Sequence, residues 1–271
     1  MLVSILIFIV LTVFTQIGGL VYLLCTFLYR FINTLSNQKL TQLGLKFTLF
    51  VSLYLFFTFL IVPPIAKHFG RVPLPISEQN GLRPLTKLTC LLNRNYVRTE
   101  LRELAFSVAT QMGQKYPGTC VNYLDANFPF INHFPLIPHL SHNDGKKLDL
   151  SFCYTLSSTG EASNLNPSVI GYGVCEEALP AEQNTAEFCT QKGYWQYSFL
   201  THIIPQGKKK DYVFDPIRTK ELVLLFASQQ NISKIFIEPH LKLRMNLSND
   251  KIRFHGCQAV RHDDHIHVQI K

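Results

Sequence analysis

The chain has 271 residues, of which 47% are hydrophobic and 16% are charged, and its formal net charge is +8. Soluble domains carry about a quarter charged residues, so a simple soluble enzyme is excluded, as are a disordered chain, a coiled coil and a collagen-like fibre. The charge is also unevenly placed, because residues 1–66 contain no Asp or Glu and all 18 acidic residues lie in residues 67–271. This partition predicts a membrane anchor over residues 1–66 and one well-buried domain in the remainder.

Two apolar segments of the anchor are long enough to cross a bilayer as helices. They cover about residues 2–29 and 47–65, and a helix of about 20 apolar residues spans roughly 30 Å of hydrocarbon. A cleaved signal peptide fits poorly, because the start MLVSILIFIV has no basic region. The basic residues between the two segments predict a cytoplasmic loop, and hence a domain outside the cytoplasm. The alternative is one span followed by an interfacial segment.

The cysteines of the domain favour the same location. None has the CxxC spacing of a zinc ribbon or a thioredoxin-type pair. Their even number predicts up to three disulfides in an oxidising compartment, and buried free thiols are the alternative. The six residues are Cys90, Cys120, Cys153, Cys175, Cys189 and Cys257.

The first elements after the anchor are a linker, a helix and a strand. Residues 67–98 begin with a stretch rich in Pro and Gly, which predicts a linker that leaves the membrane. From Thr99, apolar residues recur at helical spacing, and Gly113 ends the pattern. Residues 148–153 alternate between apolar and polar types, which predicts a half-buried strand.

The rest of the chain mixes helical and strand patterns. Residues 157–195 are polar and Gly-rich and predict a long surface excursion. Asp215 and Pro216 form a helix start, with an N-cap followed by a first-turn proline. Residues 265–270 alternate as a closing strand. Because helices and strands do not alternate regularly, the expected class for residues 99–271 is α+β.

Two histidine-rich clusters carry the chemistry, PHLSHNDGKKLDL at residues 138–150 and HDDHIHV at residues 262–268. In the second cluster, His265 and His267 are two residues apart and face the same side of a strand. In the first, the Asn-Asp-Gly turn between His142 and Asp149 resets the register, so that both side chains can face one point. Two imidazoles, a carboxylate and an open position are the pattern of a catalytic zinc site.

The remaining histidines of the clusters extend this prediction. Whichever of His265 and His267 does not bind the metal is placed to move a proton. His139 and His262 either assist the reaction or orient the ligands through hydrogen bonds.

The first cluster resembles the first motif of the LAS zinc peptidases, the group of lysostaphin, the D-Ala-D-Ala metallopeptidases and the hedgehog signalling domain. The similarity rests on His142-x2-Gly145-x3-Asp149 and on His265-x-His267, which resembles the closing HxH motif of that group.

Within this group the chain is most similar to the penicillin-insensitive murein endopeptidases. They share a histidine three residues before the first ligand, matched by His139, and an HxxHxH closing motif that begins here at His262. The D-Ala-D-Ala carboxypeptidases typically have a glutamate where this chain has His262. The paired membrane segments depart from the family, whose members are usually exported as soluble proteins.

The resemblance implies an α+β fold with a central antiparallel sheet and flanking helices, one zinc ion, and cleavage of amide bonds in peptidoglycan cross-links. The chain is then expected on the periplasmic side of the bacterial inner membrane, with peptidoglycan and the lipid bilayer, but no nucleic acid, as partners. An inactive zinc-containing module that binds the cell wall and a D-Ala-D-Ala carboxypeptidase are the alternatives. The implied zinc ligands are His142, Asp149 and His267, the implied general base is His265, and the further active-site histidines are His139 and His262.

Overall fold

The fold consists of an N-terminal group of apolar helices and a mixed α+β domain, and the computed structural model describes residues 2–271. The helices are α1 (Leu2–Thr15), α2 (Gly18–Leu35), α3 (Lys39–Phe56), α4 (Val62–His68), α5 (Lys87–Leu91), α6 (Thr99–Lys115), α7 (Thr185–Gln191), α8 (Phe199–Ile203), α9 (Pro216–Ala227) and α10 (Pro239–Arg244). The strands are β1 (Val72–Pro73), β2 (Leu82–Pro84), β3 (Tyr96–Val97), β4 (Val121–Tyr123), β5 (Lys147–Ser151), β6 (Tyr154–Leu156), β7 (Ala162–Ser163), β8 (Tyr212–Phe214), β9 (Ile232–Phe236), β10 (Ile252–Arg253) and β11 (His265–Ile270).

The first apolar segment is divided into two helices, where the sequence predicts one helix over residues 2–29. Gln16 adopts a φ of 65°, which ends α1, and α2 then folds back along α1. The two helices pack closely, since a Cβ atom on Gly19 would lie 2.0 Å from Oγ1 of Thr12. Ser4 and Ile5 near the start of α1 therefore lie close to Leu23 and Thr26 in the middle of α2.

Two helical segments, Gly18–Leu35 and Lys39–His68, are long and apolar enough to cross a membrane. The second is continuous because a π-helical turn at Phe57–Ile61 joins α3 to α4. Leu20, Phe27 and Leu60 are among the apolar side chains that these helices expose. Their length and composition are consistent with membrane anchoring.

A six-stranded sheet with the order β10-β9-β11-β5-β4-β2 forms the centre of the domain. Its four inner strands are antiparallel, as expected, whereas the edge strands β10 and β2 pair in parallel with their neighbours. A mixed α+β fold is therefore confirmed. Apolar residues of β5 and β11, such as Leu148 and Val268, belong to one core with α6 and α9. Because side chains alternate along a strand, the polar residues between them project from the opposite face.

Residues 67–98 are part of the folded domain rather than a linker. Leu74 and Leu82 are buried in the core, and β2 is an edge strand of the central sheet. Arg71 is fully buried and donates to the backbone carbonyl of Phe128. The prolines and glycines of this segment separate very short strands, of which β1 pairs with β3 and β2 pairs with β4, and strands this short leave no periodic pattern.

The domain rests directly on the apolar helices. The buried Asn93 directs its Nδ2 to the carbonyl of Thr15 at 3.4 Å and to the hydroxyl of Tyr54 at 3.2 Å. Gln16 accepts a hydrogen bond of 2.9 Å from the backbone N–H of Phe130. Hydrogen bonds of Asn93 and Gln16 therefore connect the domain to the apolar helices at this junction.

One disulfide forms, between Cys189 and Cys257, where the cysteine count allowed three. The other cysteines of the described residues are free thiols and lie in separate parts of the structure. Cys90 on α5, for example, contacts the hydroxyl of Tyr123 at 3.2 Å. The single disulfide connects α7 to the loop that precedes β11.

Candidate metal centre

The register of β5 and β11 brings the two histidine-rich clusters together. His267 lies opposite Asp149 and His265 lies opposite Ser151, on the face of the sheet that does not pack against α6 and α9. Nδ1 of His267 is 2.9 Å from Oδ1 of Asp149. The alternation of β11 thus places two imidazoles beside one buried carboxylate.

His142 is the third residue of this group, and like His267 it approaches Oδ1 of Asp149. Its Nε2 lies 3.2 Å from Oδ1 of Asp149 and 3.0 Å from Nδ1 of His267. The other ring nitrogen, Nδ1, is 2.7 Å from the carbonyl of Ala126, which orients the ring. The predicted turn is present, because Gly145 has a φ of 81°. It directs the chain from His142 back into β5.

A second pair of histidines lies at the other oxygen of Asp149. Nδ1 of His139 is 3.4 Å and Nε2 of His265 is 3.7 Å from Oδ2. The ligand atoms of His139, Asp149 and His265 lie within 4.8 Å of one another, and so do those of His142, Asp149 and His267. Asp149 therefore connects two histidine pairs, one on each carboxylate oxygen.

Two further carboxylates and a tyrosine support this arrangement. Asp125 accepts from Nδ1 of His139 at 3.1 Å, and Asp264 is hydrogen-bonded to Nδ1 of His265. The hydroxyl of Tyr172 donates to Oδ2 of Asp149 at 2.9 Å. His139 and His265 are thus each fixed by a carboxylate on one ring nitrogen.

The pKa values of these groups follow from burial and from their neighbours. Burial alone would raise the pKa of Asp149, but His142 and His265 hold it well below its ordinary range. Burial lowers the pKa of His267 to about 3, so this imidazole is neutral, as a metal ligand must be. Burial would also lower the pKa of His265, yet the charges of Asp149 and Asp264 raise it to about 9.

His262 lies beside this group rather than within it. Its ring centroid is 4.8 Å from that of His265. Burial and the nearby His265 hold its pKa well below the ordinary value. His262 is therefore a neutral hydrogen-bonding group at neutral pH.

A cleft of about 370 Å³ opens over the histidines. Trp195 and Phe199 form part of one wall, and His255 and Gln258 belong to the loop that forms another part. The disulfide joins these two walls, since Cys189 precedes Trp195 and Cys257 lies between His255 and Gln258. The six histidine and aspartate residues singled out in the sequence lie together, at or under this cleft.

The sequence did not indicate several residues that shape the site. Tyr172 falls in the segment predicted as a surface excursion, but it is buried and bonded to Asp149. Gly171 and Gly173 on either side have φ values of 86° and 77°; this pattern could have marked a fixed backbone around Tyr172. His255, which had no histidine at ligand spacing, lies in the cleft with its ring centroid 4.1 Å from that of Phe236.

The residues present fit a divalent metal ion. His139, His265 and His267 each have a buried Nε2 without a hydrogen-bond partner among the described residues. An unpaired polar atom in a buried site is costly, and imidazole nitrogens with a carboxylate form a common donor set for zinc and related metals. A buried His-His-Asp group that can hold a metal ion is therefore present.

Comparisons with models of known protein families and with curated proteins find no match for this chain.

Proposed function

We propose that the chain is a membrane-anchored, zinc-dependent murein endopeptidase that hydrolyses amide bonds in peptidoglycan peptide cross-links. The observation that supports this most strongly is the convergence of His142, Asp149 and His267, with His265 beside them, under a cleft. Three protein ligands with an open position are typical of catalytic rather than structural zinc. The resemblance of both motifs to the LAS peptidases supplies the substrate class.

In this proposal a zinc ion would be held by His142, Asp149 and His267. A bound zinc ion would polarise the scissile carbonyl and lower the pKa of water. The protein's contribution is to hold the ligands in place: the carbonyl of Ala126 orients His142, and Tyr172 orients Asp149. Such outer hydrogen bonds fix the ring orientation and the tautomer of ligands.

His265 is the proton-transfer group in the proposed reaction. Water adds to the amide carbon, the C–N bond breaks, and a proton passes through Nε2 of His265 to the departing amine nitrogen. Asp264 holds Nδ1 of the same ring, so the free Nε2 is directed towards Asp149. A dication on Asp149 would offset the negative charge that raises the pKa of His265, and thereby move this pKa towards neutrality.

His262, which is neutral, and His139, which is bonded to Asp125, both lie close to His265. An imidazole N–H of His262 can donate to the carbonyl oxygen of the substrate as negative charge develops on it. His139 lies 5.6 Å from His265 between ring centroids. Both residues are therefore assigned to the active site.

We further propose a LAS-type fold and a location on the periplasmic side of the bacterial inner membrane. The antiparallel centre of the sheet is compatible with that fold. The disulfide favours an oxidising compartment, and the apolar helices favour an anchored protein.

The test is digestion of purified cross-linked muropeptides by the full-length chain in detergent with zinc present. Mass spectrometry should show dimers converted to two separate stem peptides, and chelation of the metal should stop the conversion. Release of free D-Ala instead would identify a carboxypeptidase.

The variant His265→Ala should lose turnover and retain zinc. His202 is an exposed histidine, and the control variant His202→Ala should behave as the unaltered protein. A zinc-loaded chain that cleaves neither dimers nor terminal residues would contradict the proposal and favour a binding module.

A further inference from the structure

His139 and His265 have the features of metal ligands, although the proposed zinc site uses neither of them. We propose that these two histidines and Oδ2 of Asp149 form a second divalent-cation site, which shares the carboxylate with the first. Asp149 would then bridge two ions, with Oδ1 towards His142 and His267 and Oδ2 towards His139 and His265.

The distances support this second site. Oδ2 of Asp149 lies 3.4 Å from Nδ1 of His139 and 3.7 Å from Nε2 of His265. The side chains of His139 and His265 are 3% and 1% exposed, and each has an Nε2 without a hydrogen-bond partner among the described residues. Small movements would bring the three residues into the coordination range of a metal.

The carboxylates beside the two histidines point the same way. Asp264 lies on Nδ1 of His265, the ring nitrogen remote from Asp149, and Asp125 lies 3.1 Å from Nδ1 of His139, the ring nitrogen that faces Asp149. A carboxylate on the far ring nitrogen is a recurrent feature of metal-binding histidines, because it fixes the ring and raises its basicity. Tyr172 can keep its hydrogen bond to Asp149, because a carboxylate oxygen has more than one lone pair.

The charge around the second site favours a dication. Asp125, Asp149 and Asp264 are buried close to the two histidines, and the guanidinium of Arg94 offsets only one of these charges, at 2.6 Å from Asp125. Buried carboxylates are stable only when they are paired or bind metals. A histidine that binds a metal must be neutral, and with His265 neutral a divalent ion between His139 and His265 would balance the two negative charges that remain.

Occupancy of the second site has a consequence that rests on the proposed function. Nε2 of His265 has one lone pair, which cannot bind a cation and accept a proton at the same time. The second ion should therefore inhibit hydrolysis, so that activity rises with the first equivalent of zinc and falls with the next.

The test counts zinc ions on the full-length chain in detergent, after removal of metal with a chelator and dialysis against increasing free zinc. Mass-spectrometric metal analysis should give two ions per chain for the unaltered protein, and one for His139→Asn and for His139→Gln. Two ions should remain on His202→Ala, the matched exposed histidine. Asp125→Asn should weaken the second ion about 10–100-fold and leave the first unchanged.

A saturated count of one ion on the unaltered chain would overturn the proposal, and this count requires no variant to fold. Two ions on a correctly folded His139→Asn protein would also overturn it, because the second ion would then lie elsewhere. The count is independent of catalysis. A chain that binds two ions but hydrolyses nothing at one equivalent of zinc would refute the proposed function alone, and a saturated count of one ion with hydrolysis would refute the second site alone.

Discussion

His267 and Asp149 lie directly opposite each other on adjacent antiparallel strands, with Nδ1 of the histidine 2.9 Å from Oδ1 of the aspartate. Side chains on directly opposed residues project from the same face and approach closely. The register of the central sheet therefore sets the distance between these two groups. A shift of one residue would turn His267 into the apolar core.

The same register divides the polar groups of the site into two sets around Asp149. His142 reaches Oδ1 from the turn that precedes β5, while His265 reaches the Oδ2 side from β11. A single buried carboxylate thus connects the proposed ligands with the proposed proton-transfer group, so a change at Asp149 affects both. Variants of the residues that contact Asp149 and His265 can separate the two roles.

Substitution Tyr172→Phe should weaken metal binding without unfolding the protein. It removes the hydroxyl that donates to Oδ2 of Asp149 at 2.9 Å and keeps the ring. Loss of an outer hydrogen bond of this kind typically costs 10–100-fold in metal affinity, and we expect about 10-fold. Zinc competition with a chromophoric chelator measures the change. Tyr197→Phe is the control, because Tyr197 is also buried and bonded to a carboxylate, that of Glu238. Equal affinities for the two variants would contradict the assigned role.

Substitution Asp264→Asn should reduce turnover and leave zinc bound at His142, Asp149 and His267. Asp264 accepts from the backbone N–H of Gly173 at 2.6 Å and holds Nδ1 of His265. An amide in its place can present its N–H₂ group to the ring and favour the wrong tautomer. General acid–base catalysis contributes roughly 10²–10⁴-fold, so kcat should fall within that range. Asp250→Asn, at an exposed position, should leave kcat unaltered. Loss of zinc from the Asp264 variant would show a ligand-holding role instead.

The parts of the site that could be predicted are those encoded by local patterns. The alternation in β11 shows that His265 and His267 share a face, and the Asn-Asp-Gly turn before β5 shows why His142 and Asp149 can converge. Both features depend on neighbouring residues only, and the structure has the strand and the turn where they were expected.

The remaining features depend on contacts between distant parts of the chain. Tyr172 reaches Asp149 from a segment without periodicity, and β2 joins the sheet from a stretch of prolines and glycines. The break at Gln16 lies inside an apolar run, where hydropathy does not distinguish one long helix from two packed ones. The positive φ of Gln16 and the close approach of Gly19 to Thr12 become visible only in three dimensions.

Loss of the disulfide should destabilise the protein and loosen the cleft. Cys189 and Cys257 are 68 residues apart in sequence, and closing a loop of this size typically stabilises a fold by about 2–4 kcal/mol. Cys257→Ser should lower the free energy of unfolding by that amount, as followed by thermal or denaturant unfolding in detergent. Cys120→Ser, at a free half-buried thiol, is the matched control and should lie within ~0.5 kcal/mol of the unaltered chain. Equal losses in both variants would show that the disulfide adds nothing.

Ionisation of Glu238 should make a destabilising contribution as the pH rises from about 4.5 to about 7. Burial, together with the nearby Asp263, raises the pKa of Glu238 to about 7 from its ordinary value of 4.5. Between these values the folded chain binds a proton that the unfolded chain has lost, so folding is favoured at the lower pH. The full effect is roughly 3 kcal/mol. In Glu238→Gln this part of the pH dependence should disappear. Melting curves of the variant and of the unaltered protein, recorded from pH 4.5 to pH 7, measure the difference. A parallel pH dependence in both proteins would contradict it.

Substitution Asn93→Ala should uncouple the domain from the apolar helices. Asn93 is fully buried, and its Nδ2 lies 3.4 Å from the carbonyl of Thr15 and 3.2 Å from the hydroxyl of Tyr54. Its removal takes a hydrogen-bond partner from the buried Thr15, and a lost buried partner costs about 1–3 kcal/mol. We expect a lower melting temperature in detergent and faster proteolysis near residues 67–71, with zinc content unchanged. Asn231→Ala, at an exposed position, should change neither property. If Asn93→Ala lost zinc and kept its melting temperature, the junction would act on the metal centre rather than on the attachment of the domain.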